Sequence, residues 1–296
     1  MNTINIVMAI NEKFIMPTRT TIASLKANKG PELINIFIVH FDISKEGTAL
    51  LESDSTKDVN IKCIQIKDNE IPDIKIFYEF SKEIMIKLYL HRYLPKEIDK
   101  VIWLDSDLII LGSLEDLNNI DIKENYFIAY KDQKYKKKEL DRLHLPNDYK
   151  YINVGVMPIN IGLIRNDINY EKDIENYIKN CKCELTFPEQ DIVNAVFGVK
   201  NKVLTLEEPF KYNRSVDSIH SNELKEQDIR ILHYIGFHQK PWKGCACRHY
   251  NLWWKYAKTI KEYKSLYWEV FPTYVKNFIK KIFVKIELIT GLRKKK

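Results

Sequence analysis

Two aspartates separated by one residue carry the clearest chemical signal in the sequence. Asp105, Ser106 and Asp107 stand between two apolar runs, residues 101–104 and 108–111. A buried carboxylate is costly unless it is paired or coordinates a cation, and carboxylate oxygens are good ligands for hard divalent cations. The pattern therefore predicts a pair of metal-binding carboxylates at the end of a buried strand. An exposed turn that carries two acids is the alternative.

The elements around this pair alternate between strands and helices. Residues 4–10 and 34–41 are apolar, β-branched runs and residues 60–66 alternate, so all three are predicted strands. Pro17 opens a helical pattern after the first strand, and Ser44 is placed to cap another after the second. Buried strands separated by helices indicate an α/β fold with a mainly parallel sheet.

The rest of the chain is less regular. Helices are predicted at residues 77–93, 161–181, 191–197, 250–263 and 267–289, and strands at residues 126–130, 154–159 and 230–235. Residues 211–225 are polar and rich in turn formers, which predicts a loop over the site, and the Lys-rich residues 134–138 are expected to be solvated.

Five polar or glycine-containing segments follow one another along the chain. They are residues 7–14 (VMAINEKF), 104–107 with 111–114 (LDSD and LGSL), 153–156 (NVGV), 188–194 (PEQDIVN) and 233–242 (HYIGFHQKPW). In this order they resemble the motifs of glycosyltransferase family 8. The family contains retaining, nucleotide-sugar-dependent enzymes of the GT-A fold, including bacterial lipooligosaccharide galactosyltransferases. The resemblance implies transfer of galactose or glucose from a UDP-sugar to a glycan acceptor. The expected acceptor is lipopolysaccharide core or a lipid-linked capsule precursor.

The resemblance also implies a set of donor-binding residues. Ala9, Asn11 and Lys13 lie at and just after the end of the first strand, where open α/β sheets bind nucleotides. Asn11 is implied to contact the uracil base, with a helix cap as its alternative role. Asn153 and Gly155 are implied to hold the sugar, since glycine allows a close approach of the backbone.

Further donor-binding residues would face the diphosphate. Lys240 is placed to neutralise the leaving group, and Ser106 and Gly236 belong to the same implied set. Lys87 stands where the family usually has Arg, and its ammonium lacks the bidentate geometry of a guanidinium. A solvated helical Lys is the alternative for this residue.

His233 is the predicted third protein ligand of the cation. It follows an apolar strand, and a neutral imidazole binds metals well. Asp105, Asp107 and His233 together suit Mn²⁺ better than Mg²⁺, because imidazole is the softer ligand. Mg²⁺ stays as the second choice, and a structural histidine is the alternative for His233.

Glu189, Gln190 and Asp191 open a helix after Pro188 and are the predicted catalytic residues. The resemblance places Gln190 near the reacting face of the anomeric carbon. Glu189, where the family usually has Asp, and Asp191 are better nucleophiles than an amide. We favour attack by the acceptor on the face that the diphosphate leaves, with Gln190 positioning or stabilising the cationic centre.

The charge is concentrated in the C-terminal tail. The 296 residues carry a formal net charge of +7, and residues 276–296, with 8 basic residues and 1 acid, account for all of it. The balanced remainder argues against a nucleic-acid binder. Hydrophobic (45%) and charged (29%) fractions are those of a folded globular protein.

Apolar and Lys residues interleave at helical spacing in this tail, which indicates a basic amphipathic helix suited to an anionic membrane surface. A helix packed on the body is the alternative. We therefore predict a transferase domain at residues 1–247 and a helical, basic, membrane-associating extension at residues 248–296. Without an export signal or a run of about 18 apolar residues, the expected location is cytoplasmic, peripheral on the inner face of the cell membrane.

Two other functions remain as alternatives. The first is a non-catalytic membrane-surface module with a GT-A fold, suggested by Asn11, Lys87 and Glu189. The second is a haloacid-dehalogenase-like phosphatase, which also has Asp-x-Asp after a strand. Ile109 stands where that motif normally has Thr.

The five cysteines are expected to be reduced thiols. Cys181, Cys183, Cys245 and Cys247 with His249 raise a zinc site as the alternative, although structural zinc sites more often have two to four residues between paired cysteines.

Overall fold

A computed structural model describes residues 3–74, 81–132, 137–206, 211–216, 228–236 and 238–289. Residues 77–80 of one predicted helix, residues 134–136 of the Lys-rich segment and residues 217–225 of the predicted loop lie outside the described residues.

The described residues form eleven strands and nine α-helices. The strands are β1 (Thr3–Ala9), β2 (Leu33–His40), β3 (Val59–Gln65), β4 (Lys100–Leu104), β5 (Leu108–Ile110), β6 (Phe127–Lys131), β7 (Ile152–Asn153), β8 (Val156–Asn160), β9 (Val203–Leu206), β10 (Arg214–Ser215) and β11 (Ile231–His233). The helices are α1 (Ile15–Asn28), α2 (Lys45–Glu52), α3 (Glu115–Asn119), α4 (Lys137–Arg142), α5 (Ile161–Asn166), α6 (Tyr170–Asn180), α7 (Pro188–Ile192), α8 (Tyr250–Ala257) and α9 (Tyr263–Ile289).

The main sheet has the order β3-β2-β1-β4-β8-β6-β7, and β9 pairs with β6. The pairs among β3, β2, β1 and β4 are parallel, as is the pair of β6 with β9. In contrast, β8 runs antiparallel to both β4 and β6. The predicted α/β fold with a mainly parallel sheet is confirmed.

A second, three-stranded sheet has the order β10-β11-β5. Strand β5 begins four residues after the end of β4, so the acidic triplet at residues 105–107 connects the two sheets. Strand β11 is antiparallel to β5 and places His233 opposite Leu108. This register brings the histidine next to the acidic triplet.

Alternating side chains of the buried strands fill two layers of core. Ile6 and Met8 of β1 join the cluster that contains residues of α1 and α2. Val7, between them, joins the cluster on the other face, which includes Tyr170 of α6 and Phe197. The parallel strands are thus covered on both faces, which accounts for their continuous apolar sequences.

Helix α8 packs on the body of the protein. Trp253 and Trp254 are buried in a cluster with Tyr234 and Trp242, and the Asn28 amide of α1 donates to Tyr256 Oη at 2.8 Å. Packing therefore continues across residue 247, the predicted end of the transferase domain.

Helix α9 is attached to the body through its first half. Tyr274 Oη donates to the Pro241 carbonyl and accepts from Trp254 Nε1, both at 2.6 Å. The amide of Asn277 donates to the Gly244 carbonyl at 3.0 Å. Among the described residues, no helix combines the length and the apolar character needed to cross a membrane.

Two helix predictions are wrong in part. Within the described residues 81–93, the structure has 3₁₀ turns at Lys82–Leu88 and Leu90–Arg92 instead of an α-helix. This segment is buried on several sides, so core packing overrides its helical propensity. The helix predicted at 161–181 is divided into α5 and α6, because the Asp167 carboxylate accepts from the Asn169 N–H at 2.8 Å and forms a turn between them.

Other boundaries differ without changing the architecture. The helix predicted at 191–197 begins at Pro188 and continues as a π-helical turn at Val193–Gly198. The helix predicted at 250–263 ends at Ala257. Ser44 caps α2 as predicted, with its hydroxyl accepting from the Gly47 N–H at 3.0 Å.

Candidate active site

The acidic triplet and His233 meet at the carboxyl edge of the main sheet. Asp105 follows β4, and its N–H donates to the Gly155 carbonyl at 2.8 Å. The Tyr234 N–H donates to the Asp107 carbonyl at 3.0 Å, which joins the end of β11 to the triplet. Backbone hydrogen bonds from two sheets thus fix the positions of both aspartates.

Asp105, Asp107 and His233 form a cluster suited to a metal ion. His233 Nε2 lies 3.0 Å from Asp107 Oδ1 and 3.9 Å from Asp105 Oδ2, and the three ligand atoms lie within 4.8 Å of one another. His233 Nδ1 contacts Asn213 Oδ1 at 2.8 Å, and this contact turns Nε2 toward the carboxylates. Two carboxylates and this imidazole fit a divalent cation.

Lys240 lies beside the cluster. Its ammonium donates to Asp107 Oδ2 and, at 2.8 Å, to the Tyr234 carbonyl. Burial raises the pKa of Asp107, but the charges of Lys240 and His233 outweigh it and hold this pKa well below its usual range. Asp107 is therefore ionised at neutral pH.

Lys87 is buried among polar partners, so the alternative of a solvated lysine is wrong. Its ammonium donates to the Val154 carbonyl at 3.1 Å and lies 3.6 Å from Asp105 Oδ1 and 3.4 Å from Glu189 Oε1. It also lies 4.7 Å from the centroid of the Trp103 ring. The Lys87 ammonium thus connects Asp105 of the cluster to Glu189 of α7.

Glu189 is buried with one carboxylate oxygen unused. Its Oε1 contacts Lys87, whereas Oε2 has no hydrogen-bond partner among the described residues. Burial raises the pKa of Glu189, the charge of Lys87 lowers it, and the charge of Asp105 raises it, with a net increase. The fold thus leaves one buried acceptor of Glu189 without a hydrogen bond.

Asp191, in contrast, is fully engaged in the fold. Its Oδ1 accepts from Tyr151 Oη at 2.6 Å and from Arg142 Nη2 at 2.9 Å, and its Oδ2 accepts from the Phe187 N–H at 3.1 Å. These contacts hold the start of α7. The structure does not bring Asp191 together with the Asp105 cluster.

Gln190 of α7 and Asn153 of β7 are both buried, and both contact Asp132. Gln190 Oε1 accepts from the Val154 N–H at 3.3 Å, and its amide donates to Asp132 Oδ2 at 3.4 Å. Asn153 Oδ1 accepts from the Gly155 N–H at 3.0 Å.

Gly155 touches the metal-binding cluster directly. A Cβ atom at this position would lie 2.4 Å from His233 Cε1 and 2.8 Å from Asp105 Oδ2. Only glycine fits this approach without displacing a cluster side chain.

The remaining predicted residues lie around this edge. Asn11 Oδ1 accepts from the Lys13 N–H at 3.1 Å and so caps the following 3₁₀ turn, and Lys13 is exposed. Ala9 ends β1 and is half-buried. The Ser106 carbonyl accepts from Thr21 Oγ1 at 3.1 Å, and Gly236 has a φ of +100° that favours glycine.

Sequence reasoning missed two residues of the site, Asp132 and Asn213. Asp132 follows β6, which runs parallel to β4 and ends at the same edge, so its place after an apolar strand was an available signal. Asn213 precedes the two-residue strand β10, inside a segment predicted to be a loop.

None of the five cysteines forms a disulfide. The thiols of Cys181 and Cys183 lie 2.7 Å apart. Within the described ranges, the Asp105 cluster is the one group of three or more His, Cys, Asp or Glu residues that could hold a metal ion, so the cysteines do not assemble the alternative zinc site.

Comparison with solved structures identifies the fold. The galactosyltransferase LgtC, solved in complex with donor and acceptor sugar analogues, superposes with a TM-score of 0.74 at 21% identity, covering 89% of this chain and 100% of that one. The glycosyltransferase GlyE of Streptococcus pneumoniae TIGR4 gives a TM-score of 0.66 at 22% identity, covering 93% and 64%. The mainly parallel sheet, with an acidic pair at its carboxyl edge, defines the GT-A class of glycosyltransferase folds.

Sequence comparison then gives the family. The chain belongs to glycosyl transferase family 8, whose sequence profile matches residues 5–246. A lipopolysaccharide 1,2-glucosyltransferase of Escherichia coli is 27% identical over 96% of this chain and 90% of its own length. A putative glycosyltransferase of Haemophilus influenzae is 26% identical over 91% and 83%. The haloacid-dehalogenase alternative is thereby excluded.

Proposed function

We propose that this glycosyltransferase moves galactose or glucose from a UDP-sugar to a glycan acceptor, with retention at the anomeric carbon. The observation that carries the proposal is the cluster of Asp105, Asp107 and His233 with Lys240 beside it, at the sheet edge where nucleotides bind. Lipopolysaccharide core or a lipid-linked capsule precursor is the proposed acceptor, in keeping with the lipopolysaccharide glucosyltransferase relative.

The three clustered residues would hold a divalent cation, with Mn²⁺ preferred and Mg²⁺ as the second choice. When bound, the cation neutralises diphosphate charge. Lys240, which already points into the cluster, supplies further positive charge for the leaving UDP. Ala9, Asn11 and Lys13 would lie along the nucleoside, with Ser106 and Gly236 in the same donor-binding set.

The proposed transfer takes place on one face of the sugar. The acceptor oxygen forms a bond to the anomeric carbon as the bond between that carbon and the diphosphate breaks. The acceptor proton passes to the departing phosphate. Gln190 and Glu189 lie on the sugar side, where the free Glu189 Oε2 can accept from a sugar hydroxyl. We assign Asp191 to holding these two residues in place, because both its oxygens are engaged in the fold.

Donor binding and hydrolysis test this assignment. UDP with MnCl₂ should raise the melting temperature of the parent protein, and the parent should hydrolyse UDP-galactose or UDP-glucose slowly. Asp107→Ala should lose both effects, whereas Asp148→Ala, at an exposed position, should keep them. An Asp107→Ala variant that behaves like the parent would overturn the assignment. A parent that binds UDP with Mn²⁺ but cleaves no sugar nucleotide would instead favour the non-catalytic alternative.

We further propose that α9 places the enzyme on an anionic membrane surface at the cytoplasmic side. Trp268, Phe271, Val275, Ile279 and Ile282 are exposed and follow one another at intervals of three or four residues, which puts them on one face of the helix. Residues 278–296 carry 7 basic residues and 1 acid, a net charge of +6. Exposed apolar side chains beside basic ones are the features of interfacial helices.

Substitution on this face tests the membrane proposal. The double variant Ile279→Glu with Ile282→Glu should no longer sediment with vesicles that contain phosphatidylglycerol, and its donor hydrolysis should be unchanged. Ile168→Glu, at a position 79% exposed on the body, should sediment like the parent. Equal sedimentation of all three proteins would refute the membrane role of α9.

A further inference from the structure

A chain of buried polar side chains connects His233 to Gln190. His233 Nδ1 contacts Asn213 Oδ1 at 2.8 Å, and Asn213 Nδ2 donates to Asn153 Oδ1 at 2.9 Å. Asn153 Nδ2 and Gln190 Nε2 then both donate to Asp132 Oδ2 at 3.4 Å. The chain thus runs from the metal-binding cluster to the predicted catalytic amide.

The Asp132 carboxylate, between Asn153 and Gln190, fixes the direction of the hydrogen bonds around it. A carboxylate accepts, so Asn153 and Gln190 turn their amide NH₂ groups toward it. Asn153 Oδ1 then receives two donors, the Gly155 N–H at 3.0 Å and the Asn213 amide. No amide of the chain can be flipped without setting two donors or two acceptors against each other.

The same logic reaches the imidazole. Since the Asn213 amide donates to Asn153, its oxygen faces His233 and accepts from the ring at Nδ1. This contact holds the ring with Nε2 on the side of Asp105 and Asp107. Asn213 is 1% exposed and connects His233 to Asn153, and through Asn153 to the rest of these hydrogen-bonded side chains.

The fold supports Asn213 in this position. Asn213 directly precedes β10, which pairs in parallel with β11, so that Ser215 stands opposite His233. The backbone on which the asparagine is mounted is thus hydrogen-bonded to the strand that carries the histidine.

We propose that Asn213 is a positioning residue that holds the His233 ring with Nε2 toward the cation site and, through Asn153, sets the orientation of Gln190 for the donor sugar. The proposal rests on the proposed function for its consequences in catalysis. Its consequence for the His233 ring orientation belongs to the protein without ligands. Partners of metal-bound histidines typically change metal affinity by about 10–100-fold when they are removed.

Two substitutions distinguish the effect of Asn213 on His233 from its effect on Gln190. Asn213→Ala removes both contacts. We expect the His233 ring to take more than one orientation in a crystal structure of the ligand-free variant, and Mn²⁺ affinity to fall about 10–100-fold. Asn213→Asp keeps an acceptor for Nδ1 but sets oxygen against Asn153 Oδ1. It should retain the ring orientation and the Mn²⁺ affinity while kcat for donor hydrolysis falls.

Asn166→Ala is the matched control, because its amide is exposed and donates to the Gly162 carbonyl away from the site. It should leave the ring orientation, the Mn²⁺ affinity and kcat unchanged. A His233 ring in the parental orientation in Asn213→Ala would overturn the proposal, as would parental kcat in Asn213→Asp. If Asn213→Ala does not fold, Asn213→Asp still decides. A parent that binds neither Mn²⁺ nor UDP would refute the proposed function, while the ring orientation in the ligand-free variant would still test Asn213.

Discussion

The ammonium of Lys87 lies 3.4 Å from Glu189 Oε1, and both side chains are buried. The same nitrogen is 3.6 Å from Asp105 Oδ1, so it is shared between α7 and the metal-binding cluster. Positions 87 and 189 are two at which the resemblance to family 8 led us to expect other residues, Arg and Asp, and the structure places Lys87 and Glu189 in contact. Glu reaches one methylene further than Asp, which suits it to the pairing with Lys87.

Removing the positive charge of Lys87 should destabilise the protein strongly. Lys87→Met leaves Glu189 and Asp105 facing each other without a neutralising partner, and loss of one member of a buried ion pair typically costs about 3–5 kcal/mol. Urea unfolding would measure the change. Lys82→Met is the control, because its partner Asp68 is 70% exposed and such surface pairs contribute about 0–1 kcal/mol. Equal losses in the two variants would contradict the role given to Lys87.

Glu189 and Asp191 should separate activity from stability. Glu189→Gln weakens the contact with Lys87, but Lys87 keeps Asp105 and the Val154 carbonyl as partners. The loss of stability should therefore be smaller than that of Lys87→Met, while turnover falls about 100-fold. Asp191→Ala removes the buried contacts of Asp191 with Arg142 and Tyr151. It should lower the free energy of unfolding by about 3–5 kcal/mol. Urea unfolding and donor hydrolysis on both variants check this. The reverse pattern would mean that Asp191, not Glu189, faces the donor.

The strands and the acidic pair could be predicted because local pattern determines them. Continuous apolar runs identify buried parallel strands, and Asp105 and Asp107 stand out because they interrupt such runs. His233 follows an apolar run as well. Its distance from the aspartates could not be predicted, since it depends on the antiparallel pairing of β11 with β5, which joins positions more than a hundred residues apart.

Other parts of the site have no local signal. The segment that carries Lys87 is helical in its pattern, yet its side chains are buried on several sides and it forms 3₁₀ turns. Asn213 lies in polar sequence beside a strand of two residues, too short for any alternation to appear. Asp191 looks like a catalytic acid in the sequence, and its assignment to the fold depends on Tyr151 and Arg142, which approach it only in the folded chain.

A methyl group at Gly155 should disable the metal-binding cluster. The added Cβ of Gly155→Ala would lie 2.4 Å from His233 Cε1, so the ring must move and the three ligands can no longer converge. We expect a stability loss of about 1–3 kcal/mol and no rise in melting temperature on addition of MnCl₂ and UDP. In the control, Gly30→Ala, the new Cβ meets the tip of Glu32 away from the site. A parental response of Gly155→Ala to MnCl₂ and UDP would refute the convergence of ligands at this glycine.

Stability should fall as the pH drops below neutral, in part through His40. This side chain is buried and its Nδ1 accepts from the Ile43 N–H at 3.1 Å, which requires the neutral ring. Burial lowers its pKa, against the opposing charges of Asp42, Glu12 and Glu52. The unfolded chain takes up a proton near pH 6.5, before the folded state does. From about pH 6.5 down to the lower pKa of His40 in the folded state, the free energy of unfolding therefore falls, by at most about 1.4 kcal/mol per pH unit for one group.

His40→Asn should flatten this dependence, because its side-chain oxygen can accept from the Ile43 N–H without titrating. Urea unfolding between pH 5 and pH 7.5 would give the slope. Part of the slope should remain in this variant because of His91. Burial lowers the pKa of His91 as well, against the opposing effect of its contact with Glu171. His238→Asn, at an exposed position, should keep the parental slope. If His40→Asn and the parent lose stability equally toward acid, the neutral, buried His40 is not a source of the pH dependence.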